Sequence, residues 1–132
     1  MPIKSGNIRI RSSAIYKRGI GITFTDISAI FCFFTILYLS LRPIPETLNF
    51  SPNDKFNHVL AYTTLSCLIC IGRRNIFQIL CLFLATVIFG GSVEIIQPYI
   101  GRYGEWQDFY ANTVGSFIGT SLALLFYYQF KK

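Results

Sequence analysis

The residues of this chain that could do chemistry are few, and they fall in three short groups. In order along the chain they are Asp54, Lys55, His58, Tyr62, Glu94, Gln97, Arg102, Asp108 and Asn112. The single histidine, His58, could act as a general acid or base if Glu94 or Asp108 orients it. Lysine and arginine are suited to binding phosphate, so Lys55 and Arg102 indicate an anion site. These residue types favour acid–base chemistry or recognition of a phosphate-containing group.

Helical spacing places these residues on narrow faces of three predicted helices. Four polar residues share an arc of about 80° at 100° per residue; they are Lys55, His58, Tyr62 and Ser66. Another stripe covers about 60°; it contains Asp108, Asn112, Gly115 and Gly119. Glu94 and Gln97 are i, i+3 neighbours. At about 1.5 Å rise per residue, His58, Glu94 and Asn112 reach a similar depth below their helix ends. The sequence therefore predicts one polar site at one level.

The elements that carry these residues are strongly apolar. Of 132 residues, 52% are apolar and only 14% are charged, whereas a soluble domain carries about 25% charged residues. This composition excludes a disordered chain and argues against a water-soluble domain. We therefore expect an all-α polytopic membrane protein with four transmembrane helices, at about 25–42, 56–72, 76–97 and 109–130. These helices form one domain, 25–132, after a basic segment, 1–24. Asp26 is expected to cap the first helix.

The distribution of lysine and arginine predicts the orientation of these spans. Nine basic residues precede the first span, connect the second to the third, or follow the fourth, and only three lie in the other two connections. Because basic residues concentrate on the cytoplasmic side, both termini are expected to be cytoplasmic. The net charge of +6 is then a topology signal and an attraction to anionic lipids, and no nucleic-acid partner is expected.

Metal and cofactor binding receive little support from the sequence. A metal site would have to combine His58 with Asp54, Glu94 and Asp108, and close-spaced ligand pairs such as HExxH are absent. We therefore expect neither metal nor cofactor. The four cysteines lie inside apolar segments and are interpreted as packing residues.

The pair Gly115 and Gly119 has the small-xxx-small spacing that allows close helix approach. The partner would be the second or third helix of the same chain. A second copy of the chain, giving a homo-oligomer, is the alternative.

Taken together, the polar motifs resemble those of the VanZ-like membrane proteins, over residues 40 to 128. The resemblance rests on three segments that agree in order and spacing: Asp54-Lys55-x-x-His58-x-x-x-Tyr62, Glu94-x-x-Gln97 and Arg102-x-x-Glu105-x-x-Asp108-x-x-x-Asn112. It implies a multi-pass protein of the bacterial plasma membrane. The founding member of that family is linked to low-level resistance to the glycopeptide teicoplanin, which implies a role in the cell envelope.

The sequence is compatible with three functions. The first is a protein whose outward-facing site binds the headgroup of a membrane lipid or of a lipid-linked cell-wall precursor. Its ligand-binding residues would be Asp54, Lys55, Tyr62, Gln97, Arg102 and Asn112. The second is an enzyme acting on such a lipid, with His58, Glu94 and Asp108 as catalytic residues and Arg102 stabilising developing negative charge. The third is transport by an oligomer, which the position of the ionisable groups near one membrane face disfavours.

Overall fold

A computed structural model describes residues 23–43 and 53–129. It contains the helices α1 (Phe24–Leu41), α2 (Asp54–Cys70), α3 (Ile76–Ile96) and α4 (Trp106–Gln129), and a 3-10 turn at Gln97–Ile100 extends α3. Over those two stretches the chain has no strand, so the prediction of an all-α fold is confirmed. The basic segment 1–24, except for its last two residues, lies outside the described residues. So do residues 130–132, where the fourth span was predicted to end.

The residue that caps the N-terminus of α1 is not the one that the sequence predicted. Thr23, rather than Asp26, is the N-cap, and its side chain accepts a hydrogen bond from the backbone of Asp26. The carboxylate of Asp26 in turn accepts one from the Thr23 backbone N–H, at 2.9 Å. This reciprocal pair is a capping box, in which the acidic residue occupies the third helical position. The prediction that Asp26 is the cap was therefore wrong, because helix periodicity does not fix which polar residue lies outside the first turn.

The helices α2 and α4 pack against each other along their length, and glycines on α4 allow the close approach. A Cβ atom at Gly115 would collide with the carbonyl oxygen of Val59, and one at Gly119 with that of Thr63. Hydrogen bonds reinforce this interface, including one from Thr63 Oγ1 to the Gly115 carbonyl at 3.1 Å. The glycine face is therefore covered by α2 of the same chain, which is the first of the two arrangements that the sequence allowed.

The outer surface of the bundle is apolar, as expected for helices in lipid. Large apolar side chains such as Phe31, Ile88 and Phe117 are more than half exposed. Three segments are long and apolar enough to cross a membrane: Phe24–Leu41, Ile76–Ile100 and Trp106–Gln129. The fourth helix, α2, is shorter, with 17 residues. These features indicate a membrane protein.

At one end of the bundle, α1 is joined to α2 by an ion pair. Arg73, just after α2, donates to the Asp26 carboxylate near the start of α1, at 2.8 Å. The same arginine donates through Nε to the carbonyl of Ile69, at 3.1 Å. Beside this pair, a groove of about 460 Å³ lies between α1, α2 and α3, with mostly apolar walls that include Phe33, Leu65 and Phe89.

Candidate functional site

The polar residues singled out in the sequence lie at the opposite end of the bundle. There the N-terminal turns of α2 and α4 meet the last turns of α3. The ion pair between Lys55 on α2 and Glu105, just before α4, marks this meeting point. Side chains from three helices that are remote in sequence can therefore contact one another.

His58 is the centre of this cluster. Its Nδ1 lies 2.9 Å from Oδ1 of Asn112 on α4. Its Nε2 lies 3.9 Å from Oδ2 of Asp54, one turn earlier on α2, and 4.0 Å from Oδ2 of Asp108. Only 11% of the His58 side chain is exposed. The imidazole is therefore held by an amide on one edge and faces two carboxylates on the other.

Asn112 links His58 to a buried carboxylate on α3. Asn112 is fully buried, and its Nδ2 donates to Oε1 of Glu94 at 3.3 Å. Because Nδ2 is the donor, Oδ1 must be the acceptor toward His58, so the His58 Nδ1 carries a proton. Within the described residues no hydrogen bond or ion pair joins Glu94 directly to His58, and the second oxygen of Glu94, Oε2, has no hydrogen-bond partner there.

Lys55 supplies positive charge at the mouth of the cluster. Its Nζ lies 2.9 Å from Oε2 of Glu105 and 3.6 Å from Oδ1 of Asp108. The side chain is nearly half exposed, at 46%. The ammonium group therefore has room to move.

Acidic residues outnumber basic residues in the cluster, contrary to the sequence expectation of an anion site. Four of the six acidic residues of the chain lie in it: Asp54, Glu94, Glu105 and Asp108. Against them stand Lys55 and, when protonated, His58. Asp108 is 5% exposed, and its Oδ1 lacks a hydrogen-bond partner within the described residues. Buried carboxylates of this kind require a nearby cation or proton.

Arg102 and Gln97 bind elsewhere, at the end of α1. Arg102 Nη1 donates to the carbonyls of Leu39 and Ser40, both at 3.0 Å. Gln97 Nε2 donates to the same Ser40 carbonyl at 3.3 Å. These carbonyls belong to the last turn of α1, whose acceptors have no intrahelical donor. Arg102 is therefore held at α1 rather than beside Lys55, and the hydrogen bonds of both side chains go to α1 rather than to His58.

Tyr62 lies one turn deeper on α2 than His58 and is part of the core. It is 1% exposed, and its ring centroid lies 5.9 Å from that of Phe89. Gly90 on α3 makes room for it, since a Cβ there would lie 3.1 Å from the Tyr62 ring and 3.0 Å from Cβ of Asn112. The Tyr62 hydroxyl has no hydrogen-bond partner in the described part of the chain.

One member of the cluster was missed as a site residue. Glu105 forms part of the third sequence motif, but its place in the loop before α4 gave no reason to pair it with α2. The available signal was its spacing from Asp108, since residues three apart share a helix face. The structure brings together Asp54, Lys55, His58, Glu94, Glu105, Asp108 and Asn112.

The fold and this cluster define an all-helical membrane-type protein with a buried, acid-rich polar site at one end of the bundle. Comparisons with protein-family models, with curated proteins and with solved structures give no match to the chain.

Proposed function

We propose that this protein is a VanZ-like integral membrane protein of the bacterial cell envelope, whose polar cluster binds the headgroup of a lipid or a lipid-linked cell-wall precursor. The observation that carries the proposal is the hydrogen-bonded chain from His58 through Asn112 to Glu94 within an apolar bundle. Ionisable residues in transmembrane helices are costly and mark functional sites or water-filled cavities. A network that only fastened helices would not require so many charges.

In the proposed arrangement α2 is a fourth membrane crossing, both termini are cytoplasmic and the cluster faces outward. The 17 residues of α2 reach the lower limit of about 17 residues for a span. The Lys and Arg distribution supports this orientation, because Arg73 and Arg74 lie at the end of the bundle opposite the cluster. Tyr99, Tyr103 and Trp106 are exposed beside the cluster, where interfacial aromatic residues are expected.

Exposure within the cluster suggests how a headgroup enters. The side chains of Asp54 and Lys55 are 38% and 46% exposed and form the mouth, whereas those of His58 and Asp108 are 11% and 7% exposed and form the floor. Lys55 can approach a phosphate group, and Asp54 and Asp108 can approach an amine or a metal-bound phosphate. The acyl chains would remain in the surrounding bilayer.

The proposal is tested by mass spectrometry of lipids that copurify with the protein in mild detergent. We expect one headgroup class to be enriched with the unmutated chain and lost from Lys55→Ala and Asp108→Asn. Arg74→Gln is the matched control, because it removes a charge at the other end of the bundle. An identical lipid profile for all four proteins would show that the cluster is not a headgroup site.

A second candidate is a lipid-modifying enzyme with His58 as general acid or base. The specific observation in its favour is the proximity of Asp108 Oδ2 to His58 Nε2, at 4.0 Å. Asp108 would orient the ring, while Glu94 would act only through Asn112. Arg102 would take no part, since it is committed to α1. Equal turnover of lipid-linked substrates by the unmutated protein and by His58→Gln would exclude this role.

A further inference from the structure

We propose that Asp54, His58 and Asp108 form a binding site for a divalent metal ion, Zn²⁺ above all. The imidazole nitrogen and one carboxylate oxygen from each aspartate lie within 4.8 Å of one another. Asp54 and His58 are one turn apart on α2, and Asp108 is brought to them from α4. The sequence offered these three residues together with Glu94 as candidate ligands, and the structure groups the three without Glu94.

The tautomer of His58 is the first argument for a cation. Asn112 Oδ1 accepts a hydrogen bond from His58 Nδ1, so a neutral ring presents its lone pair at Nε2. That lone pair faces Asp54 and Asp108 at 3.9 and 4.0 Å. A lone pair and two carboxylates repel one another unless a proton or a metal ion lies between them, and a metal ion can take the place of the proton. Metal-bound histidines show the same arrangement, with the other ring nitrogen donating to a carbonyl or carboxylate.

The burial of Asp108 is a second and independent argument. This residue is 5% exposed, and its Oδ1 has no hydrogen-bond partner within the described residues. The nearest cation is Lys55 Nζ, at 3.6 Å. Because Lys55 is anchored by Glu105 and is half exposed, its ammonium can leave when a metal ion enters. Lys55 is thus a built-in competitor for the same position.

The donor set favours Zn²⁺ over Mg²⁺ and Ca²⁺. Zn²⁺ accepts nitrogen and oxygen ligands, and sites that act on a ligand have three protein ligands and one open position. Mg²⁺ and Ca²⁺ prefer oxygen ligands alone. Here the open position would face the mouth between Asp54 and Lys55. A metal ion at this position would give an acid-rich cluster the positive charge needed to bind phosphate. This use of the ion rests on the proposed headgroup function.

Metal binding is measured with purified protein in detergent, delipidated, freed of any polyhistidine tag and stripped with a chelator. Titration calorimetry with ZnCl₂ and the visible absorption of bound Co²⁺ give affinity and ligand type. We expect one ion per chain, with affinity lowered more than about 100-fold in His58→Gln and Asp108→Asn. Asn112→Ala, which removes the hydrogen bond to His58 Nδ1 together with the one to Glu94 but no proposed metal ligand, is expected to lower the Zn²⁺ affinity by about 10-fold. Thr113→Ala is the control on the same helix, because the Thr113 hydroxyl donates to the backbone carbonyl of Phe109 in its own helix.

In Lys55→Gln the Zn²⁺ affinity is expected to change in the opposite direction, toward tighter binding. A variant that merely folds poorly would not give this result. Removal of the competing ammonium is expected to tighten Zn²⁺ binding by about 10-fold, the effect of about 1.4 kcal/mol. Unchanged affinity in Lys55→Gln together with unchanged affinity in His58→Gln would overturn the metal site.

Lipid copurification with and without chelator separates the two proposals. Zn²⁺ binding without any enriched lipid supports the metal site and contradicts the headgroup function. An enriched lipid with no Zn²⁺ binding supports the headgroup function and contradicts the metal site.

Discussion

His58 on α2 and Asn112 on α4 are joined by a hydrogen bond of 2.9 Å. The two residues are 54 positions apart, and Asn112 extends the contact to Glu94 on α3. One amide therefore connects the three helices that form the polar cluster. It also fixes which nitrogen of the imidazole faces the carboxylates of Asp54 and Asp108.

Replacement of Asn112 by leucine is expected to destabilise the bundle by about 2–6 kcal/mol. The substitution leaves His58 Nδ1 and Glu94 Oε1 buried without their partner, and each unsatisfied buried group costs about 1–3 kcal/mol. Thermal unfolding of the detergent-solubilised protein measures the change. Thr113→Ala on the same helix should unfold close to the unmutated chain. If the leucine variant unfolds at the same temperature as Thr113→Ala, the amide bridge does not stabilise the fold.

Gly119→Ala is expected to lower stability, although alanine is the better helix former by about 0.5–1 kcal/mol. Its Cβ would collide with the Thr63 carbonyl on α2, which is backbone and cannot rotate away. Overpacking of this kind costs about 1–3 kcal/mol. In the control, Gly91→Ala, the new Cβ would meet the edge of the Phe109 ring at 3.2 Å, and that ring can shift. Unfolding temperatures of the two variants should differ, and a lower value for Gly91→Ala would contradict the packing seen here.

Arg102→Ala is expected to loosen α1 while leaving the cluster intact. The variant loses both hydrogen bonds to the last carbonyls of α1, at Leu39 and Ser40, which corresponds to about 1 kcal/mol. Arg42→Ala is the matched control, since Arg42 is exposed at the same helix end. Limited proteolysis and thermal unfolding measure how firmly α1 is held. Lipid mass spectrometry measures whether the cluster still binds its lipid. If Arg102→Ala loses a copurifying lipid and its stability is unchanged, Arg102 is part of the ligand site after all.

The number of membrane crossings is tested by the location of the two termini. If α2 crosses the bilayer together with α1, α3 and α4, both termini lie on the same, cytoplasmic side. If only the three longer segments cross, the termini lie on opposite sides. Fusion of green fluorescent protein or alkaline phosphatase to each terminus should give fluorescence and no phosphatase activity at both ends. Phosphatase activity at one end only would show three crossings.

The sequence by itself determined the helices and the level at which the polar residues meet. Apolar segments of sufficient length predicted all four helices within three residues of their observed ends. Helical periodicity placed His58, Glu94 and Asn112 at one depth, and the structure links them by hydrogen bonds. These features are local, because they depend only on rise and rotation per residue. They do not depend on how one helix is rotated against the next.

Only the tertiary structure decided which side chains become partners. Arg102 and Lys55 were expected to act together, but the long arginine side chain extends to the free carbonyls of α1 and leaves Lys55 among carboxylates. Glu105 entered the cluster from a loop, and Thr23 rather than Asp26 capped α1. The reason is physical. The sequence gives the face and height of a residue on its own helix, whereas the rotation between helices and the reach of a flexible side chain decide the balance of charge at the site.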